Sequence, residues 1–147
     1  MPLSVELARQ LTEKQIAFVQ RSGLKAEVLE PGFVRLRMPL AGNQNHIGSM
    51  YAGALFTLAE IPGGALFLTS FDVERFYPLV KEMNLRFRRP ASGDIRVEAR
   101  LSAAEITRLE DEAGRLGKAE YQLDLKLTDG AGEVVAESRG HYQLRLR

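Results

Sequence analysis

From Tyr51 to Ser70 the chain reads YAGALFTLAEIPGGALFLTS and carries one charge, Glu60. A helix that is apolar on most sides has no wet face to turn to solvent. The stretch therefore predicts a buried helix over about 51–70, and the rest of the chain must build a wall around it. The length allows this: 147 residues make one domain, expected over 1–147, with a real core and no need of covalent staples. No window reaches the roughly 18 uninterrupted apolar residues of a membrane helix, so a core position is expected and no membrane.

The wall is legible as alternation. After Pro78 the apolar period becomes two: Met83, Leu85 and Phe87 alternate with Asn84, Arg86 and Arg88, and Ile95, Val97 and Ala99 with Arg96, Glu98 and Arg100. Tyr121, Leu123, Leu125 and Leu127 repeat the pattern, and so does the run from Val134 to Leu146. This is the signature of antiparallel strands with one face covered. Two shorter strands, about 24–30 and 33–39, flank the turn Pro31-Gly32. Ala91-Ser92-Gly93-Asp94 and Asp129-Gly130-Ala131-Gly132 fit hairpin connections. Residues 3–22 have helical spacing, with Ser4 as N-cap and Gly23 as stop. Residues 108–118, RLEDEAGRLGK, read as a solvated, mobile connection. The sum is an α+β architecture: one long antiparallel sheet wrapped around a central helix. Open sheet edges invite pairing, so a dimer is expected.

Composition removes several classes of function. The net charge is +1, so nucleic acid is not an expected partner. There is no cysteine, which excludes disulfides, thiolate zinc sites and a cysteine nucleophile, and is compatible with the cytoplasmic location we expect. The first residues mix acids with bases and lack the apolar core of a signal peptide. The two histidines, His46 and His141, lie far apart in sequence and make poor metal ligands, so neither a metal nor another cofactor is expected. Both histidines read as solvated. Neither Ser49 nor Ser70 lies in a Gly-x-Ser-x-Gly elbow. Residues 114–118 lack the spacing and the Ser or Thr of a phosphate loop.

The remaining candidates surround the start of the helix. Asn45 lies in the loop that precedes it, and Gly48 and Gly53 let the backbone turn tightly and approach a ligand. The first N–H groups of a helix have no internal acceptor and suit an oxyanion, which makes Gly53 a candidate donor. Glu60 follows about two turns later, placed to act as general base or nucleophile on an acyl group. Each has a plainer alternative: Glu60 as a partly buried acid paired with Arg86 or Arg88 across a dimer, Asn45 as the cap of a turn. Beyond Glu60, Pro62 cannot donate to the carbonyl of Leu58 and is expected to kink or loosen the helix. Gly63 and Gly64 permit close approach of a strand or another subunit.

Asn45, Gly48, Gly53 and Glu60 follow one another at the spacing of a known signature, an Asn, a Gly, a His-Gly-Gly and an acid seven residues after its last Gly. With "VKEMNLRFRRPASGD" (80–94) after the helix, the chain resembles the hotdog-fold acyl-CoA thioesterases of the phenylacetic-acid-pathway (PaaI-like) type. The resemblance covers about residues 24–146. It implies a hotdog fold, homodimers or dimers of dimers, an active site at the subunit interface and an acyl-CoA substrate. It assigns the base or nucleophile to Glu60, positioning of water or thioester to Asn45, and the oxyanion amide to Ala52 with Gly53 beside it. It lets some of Arg86, Arg88 and Arg89 meet the phosphates of coenzyme A. The chain departs from the pattern where Tyr51-Ala52 replaces His-Gly, where the acid is Glu rather than Asp, and where Val80 replaces a serine that positions water in some members. Hydrolysis of an acyl-CoA is thus the leading expectation. A non-catalytic acyl-CoA-binding or sensing dimer is the second, and a hydratase or dehydratase the last.

Overall fold

The computed structural model describes residues 2–147; Met1, the first residue of the expected domain, lies outside the described residues. The chain runs α1 (Val5–Lys14), α2 (Ala17–Ser22), β1 (Lys25–Glu30), β2 (Phe33–Met38), α3 (Ala52–Ser70), β3 (Phe76–Phe87), β4 (Ile95–Arg100), α4 (Ala103–Leu116), β5 (Lys118–Thr128) and β6 (Val134–Leu146). The strands form one six-stranded antiparallel sheet in the order β1-β2-β4-β5-β6-β3. Its inner face closes on α3, which touches all six strands.

The alternation explains the wall. Val34, Leu36 and Met38 of β2 and Ile95 and Val97 of β4 are buried against α3, which contributes the fully covered Leu58 and Leu66. Each such side chain contributes about 1.5–3 kcal/mol of burial. On the outer face, Glu27 sits among Arg35, Arg37 and Arg96. The hydrogen bond from Arg96 holds its carboxyl below the ordinary range.

By length and average composition alone α3 passes for a membrane span, although Glu60 interrupts its apolar run. Its burial inside the sheet gives it the environment that composition demands. The helix is also unbroken through Pro62, where a kink or loosening is expected.

Four other expectations change. The N-terminal helix is two helices, because Ile16 adopts an extended conformation between them. The break lets Val19 enter the core, while Ile16 stays at the surface. Residues 108–118 are largely ordered helix, not a mobile connection: Ser102 caps α4 by accepting from the Glu105 N–H, and Leu109 and Ala113 are buried beneath it. Ala91–Asp94 is a crossover rather than a hairpin, since β3 and β4 are not neighbours. Asp129–Gly132 and Pro31-Gly32 do join neighbouring strands, with Gly132 and Gly32 at positive φ. Finally, β3 is an edge strand left largely uncovered beyond Pro78: Leu79, Val80 and Phe87 are exposed, and Met83 and Leu85 only half-buried.

Candidate active site

The loop into α3 is built around Asn45. Its Oδ1 accepts from the N–H groups of Ile47 (3.0 Å) and Ser49 (3.2 Å), and its Nδ2 donates to Ser49 Oγ (3.1 Å). Gly48, at φ +87°, makes the turn and donates to the Asn45 carbonyl. The turn-capping role foreseen for Asn45 is therefore present, and it leaves one amide hydrogen uncommitted. Backbone bonds from Met50 to Ala91 and from Tyr51 to Asn43 brace the loop.

Tyr51 is the N-cap of α3 and makes no side-chain cap. Its carbonyl takes the N–H groups of Ala54 and Leu55, which leaves those of Ala52 and Gly53 as the free donors of the first turn. The Tyr51 ring, 60% exposed, lies over Gly53, where an added Cβ would fall 2.5 Å from its Cε2. Gly53 thus makes room for the ring, a role the sequence reading does not give it.

Asn45, Ser49, Ala52 and Leu55 line a pocket of about 390 Å³ together with the segment 87–91. Arg88 and Arg89 stand beside it, paired with Glu137 (2.9 Å) and Glu133 (3.1 Å). Arg86 lies instead on the outer sheet face near Glu82 and Asn84. His46 and His141 are exposed. Among the described residues, no group of three His, Cys, Asp or Glu side chains is placed to hold a metal.

Glu60 is elsewhere. Ala52, Phe56, Glu60, Gly64 and Leu68 form the outward row of α3, four residues apart. Ala52 and Phe56 are exposed, Phe56 by 44%. Toward Leu68 the row passes under α1. Glu60 is half-buried at the transition, and its carboxylate has no hydrogen bond or ion pair with the described residues. Burial raises its carboxyl above the ordinary 4.5. It lines a second, larger groove of about 560 Å³ between α1, α3 and the start of β3.

Tyr142 of β6 supports this part of the helix. Its hydroxyl donates to the Glu60 carbonyl at 3.4 Å. Burial, then the Glu60 charge, pushes its hydroxyl upward, so it stays protonated. The ring lies between Gly63 and Gly140, where added Cβ atoms would fall 2.2 and 2.7 Å from it. The close approach expected of the paired glycines is thus realised at Gly63. Tyr142, the one aromatic residue of β6 and in phase with its apolar alternation, was the available signal.

The candidates therefore fall into two groups within one chain. Asn45 and Ala52 share one pocket, and Glu60 lines another. Eight residues of helix separate Ala52 from Glu60, a rise of about 12 Å. That is too far for both to act on one carbonyl.

Residues 6–144 match the family described as Domain of unknown function (DUF4442). The chain belongs to the DUF4442 family. A crystal structure from Pseudomonas aeruginosa, described as a protein of unknown function and probable thioesterase, is 78% identical, with TM-score 0.96 over 100% of this chain and 99% of that one. A thioesterase from Haemophilus influenzae shares the fold at 15% identity and TM-score 0.75, over 99% of this chain and 93% of that one. A mutant thioesterase from Pseudomonas aeruginosa does so at 16% identity and TM-score 0.76, over 100% and 97%. No curated protein matches the sequence. These likenesses place this DUF4442 chain in the hotdog thioesterase superfamily, with the expected α+β hotdog fold.

Proposed function

We propose that this DUF4442 protein hydrolyses acyl-CoA thioesters in sites shared between two copies of the chain. Glu60 of one copy faces the Asn45–Ala52 pocket of the other. The observation that carries this reading is Glu60 itself: the one charge in 51–70, half-buried on the outward row of α3, with no partner for its carboxylate among the described residues. A carboxyl raised by burial is a better base near neutral pH.

In this reading Glu60 takes a proton from water as the water attacks the thioester carbonyl. The N–H groups of Ala52 and Gly53 receive the developing oxyanion, and the free amide hydrogen of Asn45 orients the thioester or the water. Collapse breaks the C–S bond and releases the free acid and the CoA thiol, which takes up the proton. Direct attack by the carboxylate, through an anhydride that water then opens, uses the same groups. Arg88 and Arg89, in exposed pairs of low cost to open, stand where the phosphates of CoA would arrive.

A second copy is supported by the free edge of β3, twelve residues long, and by the exposed apolar side chains Tyr51, Phe56, Leu79, Val80 and Phe87. A dimer, or a dimer of such dimers, covers them. The Tyr51 ring over the helix start is the one feature that favours an acyl-CoA-binding dimer without turnover.

The test is free-thiol release from short, medium, long and aromatic acyl-CoAs, for wild type and Glu60→Gln. Turnover that drops by about 100-fold or more in the folded variant supports hydrolysis, since a general base contributes about 10²–10⁴-fold. Turnover untouched by the substitution removes Glu60 from the chemistry. Tight binding with no thiol release favours the binding dimer.

A further inference from the structure

Gly63 and Gly64 are neighbours in the middle of α3, where glycine is the least favourable residue apart from proline. Gly63 has a reason inside the protein: a Cβ there would strike the Tyr142 ring. Gly64 has none, since nothing lies within 4 Å of the Cβ it lacks. The empty space over it belongs to the groove that Glu60 lines. Gly64 is one turn beyond Glu60 on the same outward row.

We infer that the groove between α1 and α3 is the acyl subsite, that it takes an unbranched aliphatic chain, and that Gly64 keeps its floor open. The inference rests on the thioesterase reading and specifies the substrate class of that same site. The walls are aliphatic: Leu7 and Leu11 from α1, and Ile61, Ala65 and Leu68 from α3. They come from two helices packed side by side, an arrangement that suits an extended chain. The volume, about 560 Å³, falls within the range of ligand sites, about 300–1,000 Å³. Among the described residues the one cation on the wall, Arg147, is already engaged: its Nε donates to the Val73 carbonyl, and its guanidinium lies 5.7 Å from the centre of the Tyr77 ring. Thr12 and Gln15 of the α1 end also line the groove, and Glu60 is its one acid among the described residues, where the thioester carbonyl would stop. The alkyl tail would run from there along Gly64 toward Leu68.

The experiment measures binding of the S-butyl, S-hexyl, S-octyl and S-decyl thioethers of CoA, which cannot be hydrolysed, alongside thiol release from the matching acyl-CoAs. In wild type each added methylene tightens Kd by about fourfold until the groove is full. Gly64→Leu fills the floor, and Leu7→Phe narrows the opposite wall from an exposed position that does not threaten folding. Each is expected to lower the ratio of decyl to butyl affinity by at least about tenfold. A Kd indifferent to alkyl length in wild type, or a length profile unmoved by both substitutions, overturns the inference. Length-dependent binding of the thioethers without thiol release keeps the subsite and removes hydrolysis. Thiol release whose length profile ignores both substitutions keeps hydrolysis and removes the subsite.

Discussion

Glu60 is held half-buried with no partner among the described residues, and this has a consequence for stability as well as for chemistry. Its folded pKa lies above the ordinary 4.5, so the native state binds the proton more tightly than the unfolded chain. The stability this contributes is fully present below about pH 4, where both states are protonated. It is lost as pH rises through 4.5 and on past the raised value. Glu60→Gln removes that dependence. The variant is expected to melt higher than wild type at pH 7, with the gap closing at pH 4, as paired thermal melts would show. The two glycines beyond it predict opposite signs. Gly63→Ala forces a Cβ to within 2.2 Å of the Tyr142 ring, an overpacking that costs about 1–3 kcal/mol. Gly64→Ala adds a good helix former in open space and stabilises by about 0.5–1 kcal/mol. Urea denaturation of both reads the difference directly. From sequence the pair was equivalent. Only the position of the Tyr142 ring separates them.

At the scale of elements, α3 was legible because composition left it one place to go, and the strands because the covered face imposes a period of two. The helix α4 was missed because its surface is dense with charge, which drew attention away from a readable face. Ile106, Leu109 and Ala113 line that face, and Ser102 with Glu105 has the spacing of a capping box. Ser102→Ala is expected to cost about 1 kcal/mol in urea denaturation, since the cap bond to the Glu105 N–H is lost. The break at Ile16 was not legible: residues on both sides favour helix, and only the packing of Val19 into the core selects the bend. The apolar residues on the far half of β3 read as a covered face. Within one chain Phe87 stays exposed, and Met83 and Leu85 are only partly covered.

That uncovered strand belongs to the largest scale. The proposed dimer draws on the free edge at β3 and on the rise of about 12 Å along α3 between Ala52 and Glu60, the groups proposed to share one reaction. Shared sites predict complementation. Glu60→Gln and Asn45→Ala, each inactive alone, regain activity when co-expressed, because a mixed dimer holds one site with both groups intact. Random pairing restores roughly a quarter of the wild-type sites. Activity from neither mixture nor co-expression, in assemblies shown to contain both variants, would place the site within one chain.

By itself the sequence determined the class of the molecule and the identity of its chemical groups. A run with one charge must be enclosed, alternating strands must do the enclosing, and an acid inside such a run is conspicuous at any fold. Those are local facts, set by residue type and period. The tertiary structure alone decided which groups meet. It separated Asn45 and Ala52 from Glu60, gave Gly53 to the Tyr51 ring and Gly63 to Tyr142, and left Gly64 facing empty space. It also put β3 at the edge by crossing from 91 to 94 to the other side of the sheet. Spacing along a chain does not encode these outcomes, because they depend on where distant side chains come to rest in a close-packed interior.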